Sequence, residues 1–257
     1  MDFHEMKVKE ITAAVPGSTS IFERLRIDYC CGGGRKLQDA CTAAGVDLGR
    51  VVKELQEKHQ RPPTTEEPCD WSRATLANLI SHIVNKHHSF VKEQLPRLRG
   101  LLGKTCAAHA ERQPELLRIR ELVGDLRQEL DEHLQKEEMV LFPHVIRMES
   151  AVLAGRAAPA PPFGTVQNPI KIMSLEHDRA GQALRAIRAA SRDYSVPPGG
   201  CATYQALYQG LEAFEQDLHR HIHLENNVLF PRAVELEEKC LADNRLDNQK
   251  ERGTKLA

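Results

Sequence analysis

The sequence predicts an all-α protein, and three observations carry that reading. Hydrophobic residues make up 41% of the chain but aromatics only 5%, while Leu, Ala, Glu, Arg and Lys recur throughout, a composition suited to packed helices rather than β-sandwiches. Long stretches place apolar residues three, four and seven apart. Breakers divide those stretches, notably the Ala/Pro/Gly-rich connection 154–169 and the Val-Pro-Pro-Gly-Gly run at 196–200.

In chain order, residues 1–60 read as a small unit of short helices, VKEITAAV, STSIFERL and DLGRVVKELQEKH. Ser18 or Asp47 can serve as N-caps, and the Cys-Cys-Gly-Gly-Gly run at 30–34 as a turn. So short a unit has a thin core and is expected to lean on the larger unit or a partner. Residues 61–71, rich in Pro, Thr and Glu without apolar periodicity, read as a linker. Residues 72–242 read as a bundle of four long helices, near 72–102, 114–147, 168–193 and 202–240, packed antiparallel. The polar segment 243–257 is expected to be a frayed tail.

A formal net charge of -1 and a pI near 6.9 provide no global positive field, so no nucleic-acid partner is expected. No membrane is expected either: no apolar run reaches the ~18–20 residues that span a bilayer, and the N-terminal residues lack a signal-peptide pattern. The seven cysteines are odd in number and irregularly spaced, which fits a reducing cytoplasm better than a secreted disulfide framework.

The chemistry lies in an internal repeat. His133 and Glu137 precede Val140-Leu141-Phe142-Pro143, and His221 and Glu225 precede Val228-Leu229-Phe230-Pro231, so H-x3-E-x2-V-L-F-P occurs twice in register. Upstream, Ile119, Val123, Leu126 and Leu130 in one copy match Leu207, Leu211, Phe214 and Leu218 in the other. These offsets put each His and Glu on the stripe that faces the bundle interior, one turn apart. Burying an unpaired carboxylate costs several kcal/mol, roughly, and a metal ion compensates it better than any side chain. A buried Glu–His pair is the alternative, and it would have to arise twice in register.

A weaker repeat links the remaining helices. His177 is followed by Ala180, Leu184 and Ile187, and His88 by Val91, Leu95 and Leu98 at the same offsets. His87 competes with His88, having Ile80 and Ile83 upstream, but Gln94 and Arg97 fall where apolar residues belong downstream. Four His and two Glu suffice for two metals, each with two imidazoles and one oxygen from each of two bridging carboxylates. With an oxo or hydroxo bridge, one octahedral position per ion stays open for a small ligand such as O2 or NO. Imidazole with carboxylate suits Fe, Mn, Zn or Cu, and spacing does not choose among them. Glu132, Glu138, Glu176 and Glu215 are candidates to orient the imidazoles, although solvated helix-face charges are the simpler expectation. His144 falls on the inward stripe beside Pro143, whereas His219 and His223 flank it.

On these residues the chain resembles the iron–sulfur cluster repair di-iron proteins, the repair-of-iron-centres family. The N-terminal resemblance rests on Ile27-Asp28-Tyr29-Cys30-Cys31-Gly32-Gly33, and the C-terminal one on His88, His133-x3-Glu137, Ser174-Leu175-Glu176-His177-Asp178 and His221-x3-Glu225 with its Asn226-Asn227-Val228-Leu229-Phe230-Pro231 extension. Gly34 and Cys41 depart from the family pattern. The resemblance implies a hemerythrin-like bundle, two non-haem irons on His88, His133, Glu137, His177, His221 and Glu225, and Glu137 and Glu225 as bridges. It also implies a cytoplasmic protein that restores clusters damaged by nitric oxide or oxidants. Expected partners are damaged iron–sulfur proteins, a diatomic ligand and a second copy in a homodimer. An NO-binding or NO-reducing protein, a hemerythrin-like O2 binder or sensor and a dizinc hydrolase are the other readings. Cys30 and Cys31, followed by glycines that let the backbone turn, are expected to be redox, metal-handling or docking thiols.

Overall fold

A computed structural model describes residues 2–60 and 71–254, with side chains to residue 242. All regular structure among these residues is helical, apart from one isolated bridge between Lys7 and Lys36. No helix there is long and apolar enough to cross a membrane. The expected linker lies outside the described residues except for Trp71.

Four helices form the N-terminal unit: α1 (Val8–Ala14), α2 (Ser18–Arg24), α3 (Leu37–Ala44) and α4 (Leu48–Gln60). They close on Phe3, Ile11, Phe22, Tyr29, Leu37 and Leu55. Asp47 caps α4 by accepting the Arg50 N–H at 2.8 Å. Ser18 does not cap: it begins α2, with Gly17 at the cap position and its own hydroxyl buried without a partner among the described residues. The Leu37 N–H donates to the Met6 carbonyl, drawing the turn that carries the two cysteines against α1.

Four rods form the second unit. The first joins α5 (Leu76–His82) through a π-turn (Ile83–His88) to α6 (Ser89–His109). The second joins α7 (Glu115–Lys136) through a π-turn (Glu137–Leu141) to α8 (Phe142–Leu153). The third is α9 (Gln167–Ala190), and the fourth joins α10 (Ala202–Leu224) through a π-turn (Glu225–Leu229) to α11 (Phe230–Thr254). α7 packs on α9 and α6, and α6 on α10. Pro143 and Pro231 lack the N–H that closes an i→i−4 bond, and each follows by six residues the Glu that opens a π-turn. The repeated sequence thus produces a repeated widening of the helix, the kind of insertion that marks functional sites.

The rods differ in length from the sequence expectation for local reasons. The first runs to His109 because Thr105 and Cys106 are buried, so packing carries it past Gly103. The third stops at Ala190, where Arg192, Asp193 and Tyr194 take φ of 49°, 61° and 55°. The fourth continues into the segment expected to fray, since no Pro or Gly interrupts it before Gly253. Two apolar clusters fill the bundle. One includes Leu130, Leu134, Ala180, Leu218 and Ile222, the other Ile83, Leu141, Phe142, Met173, Leu229 and Phe230. Four His and two Glu form a polar layer between them.

Candidate metal centre

Each rod delivers candidate metal-binding side chains to that layer. His88 closes the first π-turn, Glu137 and Glu225 open the others one turn after His133 and His221, and His177 lies midway along α9. All six side chains are buried. Their donor atoms fall into two groups, His88, Glu137, His221 and Glu225, and His133, Glu137, His177 and Glu225, with atoms in each group within 4.8 Å of one another. The two carboxylates belong to both groups. Glu137 Oε2 is 3.4 Å from both His88 Nε2 and His133 Nε2. Glu225 Oε1 lies 2.9 Å from His221 Nε2, and Oε2 lies 3.1 Å from His177 Nε2.

Orientation of the rings shows what the layer can hold. His88 Nδ1 donates to Glu138 at 2.8 Å, His133 Nδ1 to Glu176 at 2.8 Å and His177 Nδ1 to Asn226 Oδ1 at 2.9 Å. A neutral ring that donates from Nδ1 presents a lone pair at Nε2. Yet His88 Nε2 faces His221 Nε2 at 3.1 Å, and His133 Nε2 faces His177 Nε2 at 3.1 Å. Two ligands at right angles on one ion, with bonds of about 2.1 Å, stand about 3.0 Å apart. Both Glu137 oxygens are buried without a hydrogen-bond partner among the described residues. At the His133–His177 pair, where both Nδ1 atoms have acceptors, lone pairs face each other beside a carboxylate with no partner among the described residues, and each donor group could hold a metal ion.

Without a cation, protons stand in its place. Burial opposes charge on His88, but Glu137 and Glu225 outweigh it and raise its pKa to about 10. His177 is raised to about 9 by Glu225 and Glu137, again against burial. Burial works against ionised Glu225 too, yet His221, His177 and His88 hold its carboxyl well below the usual range. His221 goes the other way, its pKa lowered by burial.

Glu138 and Glu176 correct the expectation of solvated helix-face charges. Each accepts from an imidazole of the layer, His88 or His133, and pairs with a lysine, Lys92 and Lys136 respectively. Despite partial burial, these partners lower both carboxyl pKa values, so both remain acceptors. Glu132 is exposed, and Glu215 pairs with Arg188. His87 lies behind the layer: Nδ1 donates to Asp217 at 3.0 Å, and the ring stacks on His221 with centroids 5.8 Å apart. His144 is buried against Phe163, outside both donor groups. Asn226 was missed because a neutral amide beside a ligand carries no charge signal.

The N-terminal unit docks beside this layer. Arg220 donates to both Glu23 oxygens at 2.9 Å, and Asn227 Nδ2 donates to the carbonyls of Tyr29 and Cys30, each at 3.2 Å. His223, expected merely to flank the inward stripe, is buried against Tyr29. Cys31 Sγ reaches the His177 carbonyl at 3.6 Å.

Fold and site together define a cation-binding helical bundle with shared carboxylates. Comparisons with known proteins agree. Residues 79–233 match the hemerythrin HHE cation binding domain, and residues 4–59 match a domain of unknown function (DUF542). The chain is 34% identical to the probable iron-sulfur cluster repair protein of Haemophilus influenzae, over 91% of this chain and 99% of that protein. It is 33% identical to the iron-sulfur cluster repair protein YtfE of Yersinia pseudotuberculosis and of Yersinia pestis, with the same coverage. The chain belongs to the iron–sulfur cluster repair family, in which a hemerythrin domain follows the small cysteine-bearing one.

Proposed function

We propose that the centre holds two irons, one on His88 and His221 and one on His133 and His177, sharing Glu137 and Glu225 and an oxo or hydroxo bridge. The protein uses them to restore iron–sulfur clusters damaged by nitrosative or oxidative stress, supplying iron to damaged proteins in the cytoplasm. The relatives' names support repair, and the described cysteines, none in a disulfide, suit a reducing compartment. The observation that supports iron supply is unequal anchoring. Three imidazoles donate from Nδ1 to a fixed acceptor, whereas His221 Nδ1 is buried without one among the described residues. Such outer partners are worth ~10–100-fold in metal affinity, so the half bound by His88 and His221 is the one that releases its ion first.

Bound iron supplies redox chemistry and open positions for small molecules. The chain's own residues set the conditions. Glu138, Glu176 and Asn226 fix three rings, Glu137 and Glu225 neutralise charge, and the apolar clusters on either side exclude water. A space of about 10 Å³, about the least that holds a single water, borders His133, Glu176, His177 and His221. NO or O2 binding at a coordination position left open beside it is the second reading. Iron-loaded protein carrying labelled iron, incubated with an NO-damaged cluster enzyme, is expected to restore its activity and place label in the cluster. Equal recovery with metal-free protein overturns iron supply. Sustained NO consumption with a reductant and no client favours the second reading.

A further inference from the structure

Outside the centre, one other cluster of metal-binding side chains occurs among the described residues: Asp28, Cys30 and Cys31, with donor atoms within 4.8 Å of one another. The backbone builds it. Asp28 Oδ1 accepts the N–H groups of Cys30, Cys31 and Gly32 at 3.2, 3.0 and 2.9 Å, folding the chain into a tight turn around the carboxylate. Cys30 Sγ then lies 3.4 Å from Asp28 Oδ1 and 3.8 Å from Cys31 Sγ. Two thiolates on one tetrahedral ion, with bonds of about 2.3 Å, stand ~3.8 Å apart. Asp28 Oδ2 pairs with Arg185 at 3.9 Å.

The surroundings favour a cation over thiol exchange. Cys30 is buried, which keeps its sulfur from an attacking partner, while Asp28 and Cys31 stand within reach of it. A bound cation deprotonates a coordinating thiol outright. On one side, Cys31 sits on α9 one turn beyond the ligand His177: its Sγ approaches the His177 carbonyl and lies only 3.4 Å from where a Cβ on Gly181 would stand. On the other side, Asp28 and Cys30 line a cleft of about 610 Å³ between the two units, with Arg185 and His219 across it. The cluster therefore has one face on a helix of the centre and one on the solvent.

We propose that Asp28, Cys30 and Cys31 form a third cation site, selective for a thiophilic divalent ion such as Fe2+, through which iron passes between the centre and the interdomain cleft. Binding one such ion forms two metal–sulfur bonds and one metal–oxygen bond and releases both thiol protons to solvent. The oxidation state of the ion does not change. A fourth ligand comes from the cleft, as water or a donor atom of the acceptor. The site stands on its own geometry, whereas its role in transit rests on the proposed supply of iron.

Co2+ is the probe. Titrated into metal-free full chain, it is expected to bind at three equivalents, with thiolate-to-cobalt charge-transfer absorption belonging to one of them. Asp28→Asn weakens that equivalent, and Cys30→Ser with Cys31→Ser removes it, while the other two equivalents persist. Cys31→Ser alone, at a half-buried position, serves if the double variant does not fold. Absence of the absorption in the unaltered chain, or its survival in the Cys31→Ser protein, overturns the site. For transit, Cys31→Ser is expected to slow iron loss from the centre to a chelator at least several-fold; an unchanged rate overturns that role. Failure of Glu137→Ala to remove the two oxygen- and nitrogen-bound equivalents overturns the two-ion centre instead, so the two failures are distinguishable.

Discussion

Unequal anchoring of the two halves gives the sharpest prediction. Glu138→Ala removes the acceptor for His88 Nδ1, a charge-assisted bond of 2.8 Å, and Glu176→Ala removes the equivalent for His133. A hydrogen bond to a charged group contributes about 1.5–3 kcal/mol, and ~1.4 kcal/mol is tenfold in affinity, so each loss weakens one ion by roughly 10–100-fold. The halves do not start level, because His221 already lacks an acceptor. Iron removal from the unaltered protein by a chelator under reducing conditions is therefore expected in two phases of equal amplitude. Glu138→Ala accelerates the fast phase and leaves the slow one. Glu176→Ala accelerates the slow phase until the two merge. A single phase in the unaltered protein, or acceleration of the slow phase by Glu138→Ala, would refute the reasoning.

Three further outcomes follow from the same geometry. In metal-free protein, the pKa values of His88 and His177 lie above the unfolded value near 6.5, so the stability they contribute is full below about pH 6.5 and is lost as pH rises through about 9 to 10. Thermal melts of metal-free protein should show that loss, whereas metal-loaded protein, in which the cation replaces those protons, should hold its melting temperature across the same range. A Cβ at Gly33 would come within 2.6 Å of Asn227 Oδ1 and 3.0 Å of the Tyr29 carbonyl, so Gly33→Ala should loosen the docked turn. An overpacking cost of ~1–3 kcal/mol and faster proteolysis of the N-terminal unit are expected, and an unchanged cleavage rate would contradict the contact. Cys201 is exposed, 3.2 Å from His109 Nε2 and at the N-cap of α10, and His109 with the Tyr204 and Thr203 amides lowers its pKa to about 7. Alkylation of Cys201 should rise with a midpoint near pH 7, moving towards the ordinary thiol range in His109→Ala; the same midpoint in both proteins would rule the pair out.

Much of this architecture was legible because two periodicities coincide. The stripe that buries Ile119 through Leu130 also places His133 and Glu137 in the core, and its copy does the same for His221 and Glu225. Pattern favoured His88 over His87 by its downstream apolar residues alone, and the structure shows why the two compete: both are buried, one facing the polar layer and the other behind it on Asp217. Glu138 and Glu176 read as surface charges because each adjoins a ligand and so points about 100° away from it on its own helix. Only the neighbouring rod brings each carboxylate onto a foreign imidazole, and a single helix carries no record of that. The docking of Tyr29 and Cys30 on Asn227 was out of reach for the same reason. The π-turns could have been inferred from the fixed Glu-to-Pro spacing, though their extent depends on how the rods pack.

Metal quantification with Mössbauer spectroscopy on the purified full chain, beside Glu137→Ala and His221→Ala, tests the central claim most directly. Two irons in a coupled pair are expected at the centre, counted apart from any ion on Asp28, Cys30 and Cys31, with Glu137→Ala losing the pair and His221→Ala keeping at most one tightly held ion there. Zinc alone, or two irons retained in both variants, would contradict it.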